Sequence, residues 1–401
     1  MDLPAFRRLV SPEGQIVLAA AADLQPTEAT YLACHQRLRK QFPDDLVKAA
    51  LETALLRRKA SGKFDRADHM YFTRDALEQS SGEAVSTYRA ERFAGYERVC
   101  DWCCGIGGDL IGLSAVTNVV AVDIDPLRVV MAEENLRAYD RRGRAEFVVG
   151  DVLDVSLPEI GAAFVDPDRR RGGTRQVRVR EYSPPLDAVR ARFRTGFPLG
   201  VKVAPGVPWH DLRTFDAEAE FISVGGELKE CDLWFGPVKS TGRRATILPV
   251  GATLAADHPA EPAEPGVPRA YLYDPDPAIV RSGLVANLGH QLAARPIDPD
   301  IAYLTSDRCV PTPFARCYRI VETMPFHARQ LGDRLRSMKV GPVTMTKRGS
   351  AVDVDELRRK WKLTGPNAAT VVLTRVLGRP YALIVAETNH ETRRRTENPT
   401  A

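Results

Sequence analysis

The chain of 401 residues exceeds what one hydrophobic core usually supports, so several domains are expected. With 44% hydrophobic and 27% charged residues the composition is that of a globular protein, and the absence of any apolar run of about 18 residues argues against a transmembrane helix. A net charge of +4 permits a nucleic-acid partner without pointing to one, and seven scattered cysteines, an odd number, argue against a disulfide framework.

The first residues, MDLPAFRRLV, contain no apolar stretch of signal-peptide length, so a cytoplasmic protein is expected. Residues 1–92 carry apolar positions three and four apart and are expected to form an N-terminal helical domain. Leu46 to Arg58 is its clearest helix, and Thr73 is placed to cap another. At Arg98 the texture changes. Short apolar strands are expected at Val99–Trp102, Val119–Val122, Glu146–Val149, Ala162–Val165 and Leu199–Val203, alternating with helices at Gly108–Val116 and Pro126–Tyr139. This rhythm predicts an α/β fold, a Rossmann-like, doubly wound parallel sheet over residues 93–250. Segments Phe221–Val224, Leu228–Phe235 and Arg244–Val250 would complete it with an antiparallel strand. Residues 251–269, rich in proline, alanine and glycine, are expected to be a linker. Two small α+β units follow, 270–326 and 327–387, and the polar stretch 388–401 is expected to be a disordered tail.

The strongest signal is VCDWCCGIGGDLIGL followed by VVAVDIDP. A strand ends at Asp101, a turn runs through Gly105, Gly107 and Gly108, and a helix follows; glycines let the backbone turn tightly and a ligand approach closely. Asp123 closes the next strand, where a carboxylate can accept hydrogen bonds from both hydroxyls of a ribose. A dinucleotide-binding loop would read G-x-G-x-x-G, but the third position is Leu110. Asp101 and Asp109 would also repel a pyrophosphate, whereas they suit the ammonium and sulfonium groups of S-adenosylmethionine. Asp151, after the next strand, can accept from an adenine amino group while Val152 packs on the ring. The set expected to hold S-adenosylmethionine is Asp101, Cys103, Gly105, Gly107, Asp109, Asp123, Ile124, Asp151 and Val152. No metal site is expected: Cys100 and Cys103, and the pair Cys309 and Cys317, have no second CxxC or histidine cluster beside them.

After the fourth strand comes FVDPDRRRGGTRQVRVR. Ligands of open α/β sheets bind beyond the carboxyl ends of the strands, which places Asp166, Pro167 and Asp168 at the methyl acceptor. A carboxylate and a proline carbonyl there can hold the N–H bonds of an amine so that its lone pair faces the methyl group. Arg169, Arg170 and Arg171 open an arginine cluster suited to a phosphate-bearing substrate such as RNA. Tyr88, Phe72, Tyr182 and Trp209 are candidates to stack on a base. Lys202, ending the fifth strand, either faces the site or forms a structural salt bridge.

Asp101 to Asp109 and the strand end AVDIDP (Ala121–Pro126) resemble the cofactor motifs of trimethylguanosine synthase-like RNA methyltransferases, a likeness spanning roughly residues 95–170. Over its full length the chain is similar to a bacterial group of class I methyltransferases with a THUMP-like C-terminal domain. In that group a helical E-Q-x-[ST]-S-E-A-like segment precedes the catalytic domain; here it reads Glu78-Gln79-Ser80-Ser81-Gly82-Glu83-Ala84, with one residue more. The resemblance implies that Gln79, Ser81 and Glu83 line the site, that 270–326 is ferredoxin-like and 327–387 THUMP-like, and that RNA is the partner. One departure matters: the synthase group has Pro-Pro-Trp after the fourth strand, and this chain has no aromatic residue there. The expected function is S-adenosylmethionine-dependent methylation of an RNA base nitrogen. Methylation of a protein or small molecule, and RNA binding without catalysis, stay open.

Overall fold

A computed structural model of the protein describes residues 1–156, 158–171, 174–175 and 178–388, with residues 170, 171, 174 and 175 described by their backbone alone. The chain divides into two compact units. The first comprises Met1–Ala219 and Glu230–Ser240, the second Glu220–Lys229 and the chain from Thr241 onward.

The first unit begins with helices Leu3–Val10, Pro12–Asp23, Tyr31–Leu38 and Asp44–Ala60. The last opens on Asp44 and Asp45 and closes on Arg57, Arg58 and Lys59, a charge order that complements the helix dipole. Its apolar face joins Phe6, Leu9, Val17 and Leu18 in a core that also takes in Ile106, Ile111 and Met131, so the N-terminal helices share their core with the α/β part. Thr73 caps helix Arg74–Gln79, its hydroxyl accepting from the Ala76 N–H at 3.2 Å. Helix Glu83–Ala90 then packs on helix Gly108–Val116 so closely that a β-carbon on Gly112 would fall 2.3 Å from the Ser86 carbonyl oxygen. Only glycine permits that approach.

The strands of this unit are β1 (Arg98–Trp102), β2 (Asn118–Asp123), β3 (Ala145–Val149), β4 (Ala162–Val165), the short pair β5 (Arg170–Arg171) and β6 (Thr174–Arg175), then β7 (Leu199–Val203); β8 (Glu218–Val224) and β9 (Glu227–Phe235) run across the division between units. Within the unit the order is β9-β7-β4-β1-β2-β3, parallel except for β9, which runs antiparallel to β7. The chain moves outward from β1 in one direction and returns through β4 in the other, so the order reverses between β1 and β4. That is where a doubly wound sheet opens a crevice at its carboxyl ends.

In the second unit, β10 (Arg243–Leu248) and β11 (Ala252–Ala256) form an antiparallel pair. The expected linker 251–269 therefore starts as a strand: Gly251, at φ 70°, completes the turn, and ATLAA holds no proline to prevent pairing. Strands β12 (Tyr271–Pro275), β13 (Arg295–Asp298), β14 (Ile301–Ser306), β15 (Ala315–Pro325), β16 (Val340–Lys347), β17 (Asn367–Val376) and β18 (Arg379–Glu387) make one sheet in the order β13-β14-β12-β15-β18-β17-β16. Segments 270–326 and 327–387 thus share a continuous sheet through the pairing of β15 with β18. Helices Ala328–Ser337 and Val354–Trp361 bury Leu331, Leu335, Leu357 and Trp361 in its core. Of the expected tail, 389–401 lies outside the described residues. No helix among the described residues is long and apolar enough to cross a membrane.

Candidate active site

At the switch point between β1 and β4 lies a cavity of about 380 Å³, lined by the glycine loop, the ends of β2 and β4, and the turn after β3. β1 delivers Asp101, 1% exposed, whose two carboxylate oxygens have no hydrogen-bond partner among the described residues. Burial, reinforced by Asp109 and Asp166, pushes its carboxyl well above the usual range. The chain then turns with Cys103 at φ 59°, Gly105 at φ 55° and Gly107 at φ 87°. The left-handed region costs the glycines nothing sterically and Cys103 about 1 kcal/mol. A β-carbon on Gly105 would meet no protein atom within 4 Å; it would fill space left open at the cavity wall.

Asp123, 4% exposed, is fixed by two backbone N–H groups: Gly105 donates to Oδ2 and Asp125 to Oδ1, each at 2.9 Å. Burial raises its carboxyl above the ordinary value, and these two N–H groups partly offset the rise. Each oxygen keeps a second lone pair for a ligand hydroxyl. Ile124 beside it is 68% exposed and lines the cavity, an apolar surface suited to a flat ring. Asp151 is exposed on the same cavity with Oδ1 accepting the Leu153 N–H at 2.9 Å, and Val152 is 5% exposed.

Behind the cavity lies a buried ionic network. Arg89, 1% exposed, donates to Asp109 and Glu230 and, at 2.9 Å, to Asp232 Oδ2, with its guanidinium 4.3 Å from the Phe164 ring centroid. Burial works against its charge, but Asp109, Asp232 and Glu230 outweigh that and hold the guanidinium protonated. Lys202, also 1% exposed, donates to Asp166 Oδ2 at 2.8 Å and lies 3.6 Å from Glu230 Oε1. Five carboxyl groups (Asp101, Asp109, Asp166, Glu230, Asp232) thus meet two cations, Arg89 and Lys202, so that acids outnumber cations even with Asp101 protonated. The excess of negative charge fits a ligand carrying an ammonium and a sulfonium, as S-adenosylmethionine does, and opposes a pyrophosphate.

Of the residues singled out in the sequence, Cys103, Gly105, Asp109, Asp123, Ile124, Asp151, Val152, Asp166, Pro167, Asp168 and Arg169 line this one cavity. Asp101 and Gly107 stand behind it: Gly107 N-caps helix Gly108–Val116, where a β-carbon would come within 3.3 Å of Ala132. The Asp168 backbone exchanges two hydrogen bonds with Ser183, each 2.9 Å. Arg170 and Arg171 form β5; their side chains lie outside the described part. Gln79 lines the cavity, whereas Ser81 is wholly buried in the ionic network and Glu83 accepts from the Tyr139 hydroxyl at 2.6 Å instead. The aromatic candidates are not at the cavity: Phe72 and Tyr182 are core residues, the Tyr182 hydroxyl accepting from the Ala204 N–H, and Tyr88 and Trp209 are half-buried elsewhere.

Arg89, Glu230 and Asp232 escaped sequence reasoning. The usable signal was charge inside apolar strands: Glu230 and Asp232, two apart in ECDLWF, share one face of β9, and buried charges require partners. Asn135 escaped too. Fully buried, its side chain accepts from the Tyr71 N–H at 2.6 Å and donates to the carbonyls of Tyr71 and Ile106, tying the N-terminal segment to the glycine loop.

Known proteins resemble the chain at several levels. The family described as RNA cap guanine-N2 methyltransferase matches residues 96–190, the THUMP domain-like family matches 315–387, and a domain family of unknown function matches 2–60. An uncharacterized S-adenosylmethionine-dependent methyltransferase of Mycobacterium tuberculosis is 36% identical over 339 residues, covering 81% of this chain and 92% of its own. Trimethylguanosine synthase of Schizosaccharomyces pombe is 37% identical over 59 residues, 14% of this chain and 25% of its own. A crystal structure from Porphyromonas gingivalis W83, described as a candidate methyltransferase, superposes with a TM-score of 0.73 at 18% identity, covering 91% of this chain and 99% of its own, a likeness of fold.

Proposed function

The chain belongs to the S-adenosylmethionine-dependent methyltransferases, and from that premise we propose that it methylates a nitrogen of an RNA base held against Asp166 and Pro167. The observation that carries this reading is the end of β4. Asp166, Pro167 and Asp168 line the cavity beside the glycine loop, and the Asp166 side chain, 20% exposed, has one oxygen taken by Lys202 and the other uncommitted among the described residues.

When bound, the cofactor supplies a methyl group on a sulfonium centre. Asp123 would accept the ribose hydroxyls, Asp151 would accept from the adenine amino group, and Ile124 and Val152 would cover the ring. The Asp101 and Asp109 side of the loop complements the ammonium end. The open oxygen of Asp166 and the Pro167 carbonyl accept N–H bonds from the acceptor amine, which turns its lone pair toward the methyl group. Positioning of this kind accounts for several orders of magnitude in rate. Transfer would exchange the methyl–sulfur bond for a methyl–nitrogen bond, the electron pair of the broken bond staying on sulfur as neutral S-adenosylhomocysteine. The amine would release one proton, which Asp166, already accepting that N–H, is placed to take.

RNA is favoured by the family matches at 96–190 and 315–387 and by the basic run that begins with Arg169 at the cavity rim. With no aromatic residue at the cavity among the described residues, the base would be held by its hydrogen-bonding edge and by the Arg169 guanidinium plane. The test uses extract of cells lacking the protein as acceptor and methyl-labelled S-adenosylmethionine as donor. Label should enter material destroyed by ribonuclease; label confined to protease-sensitive material or small molecules would refute the RNA assignment.

A further inference from the structure

Lys202, near the carboxyl end of β7, uses all three ammonium protons. Nζ donates to Asp166 Oδ2 at 2.8 Å, to Ser81 Oγ at 3.0 Å and to the Gln79 carbonyl oxygen at 3.2 Å. The charged groups around this pair are Asp101 from β1, Asp109 from helix Gly108–Val116, Glu230 from β9 and Arg89 from helix Glu83–Ala90. Charge balance alone would require only a cation somewhere in this nest. The geometry adds direction. An aspartate carboxylate turns readily about its last torsion, with a broad, roughly two-fold preference. One oxygen clamped by a lysine that is itself held at two further points leaves the other oxygen a single direction, on a residue that lines the cavity.

We infer that Lys202 is a positioning residue for methyl transfer: it sets the Asp166 carboxylate so that its open oxygen meets the acceptor N–H. Through the Gln79 carbonyl it also ties that orientation to a segment lining the same cavity. The inference rests on the reading of Asp166 as the group that orients the acceptor.

The test compares wild type, Lys202→Met, Asp166→Asn and the double variant, with the extract above as acceptor and labelled S-adenosylmethionine as donor. Calorimetry with S-adenosylhomocysteine and thermal melting report the state of each variant. Lys202→Met should lower kcat by about 30- to 100-fold, the scale of a small misplacement of reacting groups, with KM for S-adenosylmethionine within about twofold. In the Asp166→Asn background the same change should cost less than about threefold, because the group it acts on is gone. A Lys202→Met enzyme with more than half the wild-type kcat, or effects that multiply in the double variant, would overturn the inference. If Lys202→Met does not fold, Lys202→Arg decides: a pure charge-balancing role leaves kcat near wild type. Positioning predicts a loss of at least about tenfold, since a planar fork does not reproduce three bonds from one nitrogen. Label entering protein or small molecules would refute the RNA assignment and leave the Lys202 comparison intact. No label in any fraction with the wild-type enzyme would overturn both.

Discussion

Replacing Arg89 by methionine removes one buried cation from three carboxylates at once. The side chain is 1% exposed and pairs with Asp109, Glu230 and Asp232, while its face rests on Phe164. Removing one partner of a buried pair costs about 3–5 kcal/mol, because the survivors keep a charge without a counterion. Three carboxylates losing a shared cation and a lost cation–π contact place Arg89→Met near the top of that range, about 5 kcal/mol, with Lys202 still beside Glu230. For a unit of this size each kcal/mol shifts Tm by about 2–4 °C, so a drop of about 10–20 °C is expected by scanning calorimetry at pH 8. The pH dependence gives a second reading. Against burial, Lys202 and Arg89 hold Glu230 down to about 2. In the native protein its contribution is therefore present above the unfolded value near 4.5 and lost as pH falls toward 2. In the variant the carboxyl groups deprived of Arg89 bind protons more readily in the folded state than in the unfolded chain, so its deficit should shrink between pH 8 and pH 5. A Tm within about 3 °C of wild type at pH 8 would refute the reasoning, and a deficit independent of pH would refute its electrostatic part.

Four further outcomes follow from the same geometry. Asp123→Ala removes the acceptor that holds the loop at Gly105 and, on the proposed reading, two hydrogen bonds from the ribose hydroxyls; at about 1.5–3 kcal/mol each, S-adenosylhomocysteine should bind at least about 100-fold more weakly by calorimetry, and an unchanged Kd would remove Asp123 from the site. Asp101→Asn replaces a buried carboxyl group that has no hydrogen-bond partner among the described residues by a group that cannot ionise. Because burial raises the native carboxyl, the ligand-free variant should melt above wild type at pH 8, with the gap closing toward pH 4, while cofactor affinity falls; a lower Tm at pH 8 would count against this. Gly112→Val should sharply lower Tm, its β-carbon meeting the Ser86 carbonyl at 2.3 Å, whereas Gly62→Ala, with nothing within 4 Å, should not. Asn135→Leu leaves backbone groups of Tyr71 and Ile106 unpaired and should cost about 2–5 kcal/mol by denaturant unfolding.

The α/β framework was legible because each of its signals is local. Strands Ala162–Val165 and Leu199–Val203 coincide with apolar runs between turn residues, and the glycine loop announces its own left-handed positions. Asp123 and Asp166 were legible because strand ends of a doubly wound sheet are predictable places. The ionic network was not: Arg89 and Asp232 stand 143 residues apart, and helical periodicity says nothing about which strand a buried arginine meets. Nor did composition separate β11 from a linker, since proline is concentrated only after Ala256. Glu83 was assigned to the site by resemblance, but helix Glu83–Ala90 starts at that residue and turns it toward Tyr139. Phe72 and Tyr182 illustrate the commonest fate of an aromatic residue, packing in a core.

The most direct test of the central claim is nucleoside mass spectrometry of RNA from cells lacking the protein, treated with the purified enzyme and deuteromethyl S-adenosylmethionine. The account predicts one deuteromethylated nucleoside carrying its label on a base nitrogen. That product should disappear with Asp166→Ala, whose affinity for S-adenosylhomocysteine stays near wild type. Label on a ribose oxygen or a base carbon, or full activity in Asp166→Ala, would contradict it.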